Sequence, residues 1–152
     1  MKSIRSRKFV AITAVLAGLM IPDVHALAKS TNIDRQLRIG VSKVRRAKTV
    51  PRRLDAAERL VKLTDQCDCS TVTDETIHSI VSLLDINDDG VQMWVAAALG
   101  DLGIRAKGAA PKLLKIYAVS ACEVLDRGSP ATIPLALAKM GVATPNPDCG
   151  LR

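Results

Sequence analysis

The sequence predicts an all-α fold, a short α-solenoid of about two and a half helical hairpins, on three observations. The first is composition. Hydrophobic residues make up 48% of the chain but aromatics only 2%, with one Phe, one Tyr and one Trp. A core of Leu, Ile, Val and Ala suits packed helices better than a sandwich, whose strands favour aromatic and β-branched residues. Abundant Ala points the same way. The second is apolar spacing at helical period in successive segments. The third is self-similarity. At a shift of 39, Leu60 falls on Leu99, Leu63 on Leu102 and Ala57 on Ala96. At 38, Leu99 falls on Leu137, Leu102 on Met140 and Gly103 on Gly141. At 36, Ile77 meets Leu113, Ile80 meets Ile116 and Val81 meets Tyr117. A two-helix unit of that length cannot bury its apolar face alone, so units stack. The 152 residues are enough for one domain.

The N-terminus has the physics of an export signal. Lys2, Arg5, Arg7 and Lys8 precede an uncharged, mostly apolar run over residues 9–21. That run is short for a membrane span and fits a signal-peptide core. Val24-His25-Ala26 and Ala26-Leu27-Ala28 offer cleavage sites. The chain therefore divides into a signal peptide (1–28), a basic N-terminal capping segment (29–49) and a helical repeat domain (50–152). The expected location is periplasmic or secreted. No later stretch is apolar for long enough to span a membrane after cleavage.

Within the capping segment Ile33, Leu37, Val41 and Val44 form a helical stripe, although Leu37, Ile39 and Val41 also alternate as a strand would; a helix is expected. Thr49-Val50-Pro51 opens the next, with Pro in the first turn. Its Leu54, Ala57, Leu60 and Val61 share a face, and Asp55/Arg59 and Glu58/Lys62 are favourably ordered pairs. A capping segment at 71–74 precedes the stripe Ile77, Ile80, Val81 and Leu84. The helix from Val91 is apolar nearly all round, with Val91, Trp94, Val95, Ala98 and Leu102 on one side, so burial between neighbours is expected. Gly103 is its stop. Pro111 starts the fourth helix of the repeat domain, carrying Leu113, Leu114, Ile116 and Tyr117. The last presents Ile133, Ala136, Leu137 and Met140 and stops at Gly141.

DINDDG at 85–90 has the spacing of half an EF-hand loop. The twelfth position, which should hold a bidentate carboxylate, is Ala96, and the ninth is Met93. The residues read better as an inter-helix turn, with Asp88 or Asp89 capping the helix that follows.

VQMWVAAALGDLG at 91–103, followed by AAPKLL at 109–114, resembles a HEAT repeat, particularly the short bacterial HEAT-like type. Residues 89–117 match that pattern well. Residues 51–86 lack its glycines, and 129–141 match only a first helix. The resemblance implies a curved surface that binds other proteins, and no catalytic residues.

Four cysteines in an exported chain read as disulfides. Cys122 with Cys149 is the favoured pair, leaving Cys67 and Cys69 in a tight C-x-C. Their spacing does not suit a four-Cys zinc site. Charge is segregated. Residues 29–62 carry eleven Lys/Arg against three Asp/Glu, and 63–101 carry none against eight. The basic cluster Lys43, Arg45, Arg46, Lys48, Arg52 and Arg53 is the candidate partner-binding surface. No hydrolase motif, metal motif or phosphate-cradling loop is present. His78 would be the only His after cleavage, and a surface position is expected. No catalytic residue, metal or cofactor is assigned. The expected function is an exported protein–protein interaction module, with an inhibitor or immunity-type binder as a narrower form. The alternative is a polyanion or membrane-surface binder acting through residues 43–53; export argues against nucleic acid.

Overall fold

The computed structural model describes residues 24–123 and 131–146. Among them the chain is helical and contains no strand. Six α-helices follow in order: α1 (Val24–Arg46), α2 (Val50–Asp65), α3 (Asp74–Val81), α4 (Asp89–Asp101), α5 (Ala110–Glu123) and α6 (Thr132–Lys139). Short 3-10 turns at Cys69–Thr71, Ser82–Asp85 and Gly103–Ala109 join or extend them. The expected signal segment lies mostly outside the described residues.

The helix ends obey local chemistry. Thr73 caps α3, its hydroxyl accepting from the Thr76 N–H, and Asp88 caps α4 by accepting from Val91. Pro51 sits in the first turn of α2. Gly103 and Gly141 end α4 and α6 with φ of 60° and 71°, a left-handed conformation that favours glycine.

Helices α1, α2, α4 and α6 each pack against the next in that row. Helix α3 rests on α1 and α4, and α5 packs on α6. The stripes meet in one continuous core that includes Leu37, Val44, Leu60, Ile80, Leu99, Leu113 and Leu137. In α6 and its C-cap all four expected core residues, Ile133, Ala136, Leu137 and Met140, are buried. Gly100 is buried where α4 meets α6; a Cβ there would lie 2.9 Å from the Ala136 Cα, so the approach is of backbone on backbone.

Two expectations are corrected. Helix α4 is not enclosed on every side, because Trp94 keeps 38% of its surface in solvent. The stripe ending at Leu84 is not one α-helix: α3 stops at Val81 and tightens into the 3-10 turn that buries Leu83 and Leu84. The structure pairs Cys67 with Cys69, their Cα atoms 5.1 Å apart. Cys149, one half of the favoured Cys122–Cys149 pair, lies outside the described residues.

The segregated charges meet in space. Arg38 reaches Glu75 at 3.0 Å, Arg53 reaches Asp88 at 3.6 Å, and Lys139 reaches Asp101 at 2.8 Å. The acidic counterpart of the basic segment is thus in part the chain's own middle. Asp101 also accepts from the buried Thr64 hydroxyl at 3.1 Å, so one carboxylate ties α2, α4 and α6 together. These cross-links join residues 35 to 39 apart: Asp34 to Thr73, Thr64 to Asp101, Asp101 to Lys139, and Arg105 to the Ser70 carbonyl.

Candidate functional site

The six basic residues taken from the sequence divide into two groups. Arg45 donates to the Ser82 hydroxyl. Arg53 is partly buried, pairs with Asp88 and donates to the Ala47 carbonyl at 3.4 Å. Both are engaged in holding α1 and α2 to neighbouring elements. Lys43, Arg46, Lys48 and Arg52 are exposed and make no ion pair among the described residues. Arg46, Lys48 and Arg52 crowd the corner where α1 ends and α2 begins.

Lys43 leads to a different feature. It stands on the rim of a groove of about 490 Å³ between α1 and α2. That volume is in the range of ligand and docking pockets. On the α1 side the groove is formed by Gln36, Ile39 and Gly40, and on the α2 side by Ala56, Leu60 and Leu63. Arg59 and Lys62 continue the basic rim. Ile39 is 46% exposed in the middle of a helix whose buried face is Leu37, Val41 and Val44. Gly40 is buried in contact with α2; a Cβ there would sit 2.9 Å from the Leu60 Cδ1.

Sequence reasoning reached Lys43 and missed the groove. The signal was present in the strand-like alternation of Leu37, Ile39 and Val41. A helix produces that pattern when it buries one face and turns an additional apolar residue towards a second surface.

Between α2 and α3 the Cys67–Cys69 turn is held from outside. Arg105 donates to the Cys69 and Ser70 carbonyls at 2.8 and 2.9 Å, and to Asp74 at 3.0 Å. Asp68 accepts from the Ser70 hydroxyl and backbone N–H, which lowers its pKa. His78 is exposed, with Nδ1 2.7 Å from the Asp74 carbonyl. In the DINDDG turn Asp88 caps α4 and Asp85 pairs with Lys112 at 2.6 Å, so two of its carboxylates have structural partners. Among the described residues no helix is long and apolar enough to cross a membrane, and no cluster of His, Cys, Asp or Glu has the arrangement of a metal site.

Comparison with protein-family models, curated proteins and solved structures returned no match.

Proposed function

We propose that this chain is an exported protein–protein interaction module, built as a short HEAT-like α-solenoid of about two and a half hairpins. The observation that carries the reading is the open, apolar groove between α1 and α2, set beside an exposed basic corner. The row α1, α2, α4, α6 supports the solenoid, as does the recurrence of polar cross-links at the period of the sequence repeat. Stacked units carry such links between equivalent places in successive layers. Export is supported by the basic and then apolar segment before residue 24 and by the Cys67–Cys69 pair. A binder that neutralises another exported protein is a narrower form of the same function.

A second reading, attachment to an anionic surface or polymer, is favoured by Arg46, Lys48 and Arg52, which face solvent without partners in the described residues. Salt separates the two. Attraction to a polyanion collapses steeply as salt rises, whereas apolar burial does not. The test uses the oxidised full chain as bait against exported proteins, beside an Arg46→Glu/Arg52→Glu variant. The module reading expects one protein in stoichiometric amount, retained by both baits at high salt. Diffuse capture, lost in moderate salt and in the variant, would replace it with the polyanion reading.

A further inference from the structure

We infer that the α1–α2 groove is the seat of an acidic amphipathic helix from a partner protein, an assignment that rests on the interaction-module reading above. The groove runs along α1 from Gln36 to Lys43 and along α2 from Ala56 to its C-cap Gln66. At about 1.5 Å per residue these walls are roughly 10 and 15 Å long, two to three helical turns. A helix docks in such a groove through apolar residues at i, i+4 and i+7. Exposed Ile39 and half-buried Leu63 supply the complementary apolar surface, over a floor backed by the buried Leu60. Gly40 keeps that floor low, since a side chain there would meet Leu60.

Charge selects the occupant. Among the described residues no Asp or Glu lines the groove, while both walls carry cations, Lys43 on α1 and Arg59 and Lys62 on α2. Arg59 and Lys62 now pair with Asp55 and Glu58 one turn away on their own helix. Exposed pairs of this kind contribute about 0–1 kcal/mol, so carboxylates arriving on a partner can replace them. A helix with an apolar stripe flanked on both sides by Asp and Glu matches this pattern. A single-headed lipid would need cations at one end and an enclosed cavity for its chain; here the cations stand along both walls of an open groove.

The test is a display selection of random peptides of about 16 residues, long enough for about four helical turns, on the oxidised full chain. Ile39→Glu is the first control; Ile39 is half-exposed, and circular dichroism checks the fold. Lys43→Glu/Lys62→Glu is the second and leaves the apolar floor intact. The expected result is a consensus with apolar residues at i, i+4 and i+7 flanked by Asp or Glu. Its binding should weaken at least about tenfold in each variant, as for anchor positions of an interface. No enrichment, a basic or extended consensus, or binding that ignores both variants would overturn the assignment. So would Ile39-dependent binding to phosphatidylglycerol vesicles, which would make the occupant a lipid. Ile39-dependent dimerisation would make it a second copy and also overturn it. An Ile39→Glu chain that still captures a partner protein in stoichiometric amount would remove the groove from the account and leave the interaction module standing.

Discussion

Asp34 shows how much one side chain can organise. It accepts from the Thr73 N–H and hydroxyl, both at 2.9 Å, and from Arg38 at 3.0 Å, linking α1 to the start of α3. Burial alone would raise its pKa. Hydrogen bonds from Thr73 and Thr76, with the Arg38 charge, outweigh that and hold it below the ordinary aspartate value. A folded pKa below the unfolded one contributes stability that is fully present above the unfolded value. That contribution is lost as pH falls through the folded one. Asp34→Asn should therefore lower stability near neutral pH and flatten the decline below about pH 4, read from urea melts across pH. Glycines give a second comparison at this scale. Gly100→Ala sets a Cβ against the Ala136 backbone and should cost about 1–3 kcal/mol. Gly108→Ala meets nothing within 4 Å and should stay within about 0.5 kcal/mol of the parent.

The elements were legible to different degrees. Helices α2, α4 and α6 could be read from their stripes, Pro51 and the glycine stops, because those signals are local. The turn at Ser82–Asp85 and the partial exposure of Trp94 were not, since tertiary packing decides them. Of the candidate site only Lys43 was legible as a binding residue: Arg59 and Lys62 read as partners in pairs within their own helix, and Ile39 is recognisable as a groove residue only once α2 is placed beside α1. Sequence spacing also left open which basic residues are free, and only the positions of Ser82 and Asp88 show that Arg45 and Arg53 are engaged. The 67–73 connection is the element most dependent on a distant side chain. Removing Arg105 leaves the Cys69 and Ser70 carbonyls without their guanidinium donor. Arg105→Ala should speed amide exchange across residues 68–74 while α4 stays protected. Unchanged exchange there would show that the Cys67–Cys69 pair holds the loop by itself.

At the scale of the whole molecule, α4 is central because α2, α3 and α6 all pack on it. Leu99 is fully buried within it. Leu99→Ala should cost about 2–5 kcal/mol and lower one cooperative transition. Two separated transitions would mean that the layers fold independently. The same architecture gives the surface its logic. The acidic residues of the middle segment are mostly paired across elements, through Asp74, Glu75, Asp85, Asp88 and Asp101, whereas the basic segment sends only Arg38 and Arg53 to them; among the described residues this leaves the α1–α2 side with an apolar groove and the unpaired cations Lys43, Arg46, Lys48 and Arg52. The most direct measurement is hydrogen exchange on the full chain, alone and saturated with the captured partner. New protection is expected on both walls of the groove, residues 36–43 of α1 and 56–65 of α2. Protection confined to the corner at residues 46–52, or none on either helix, would contradict it.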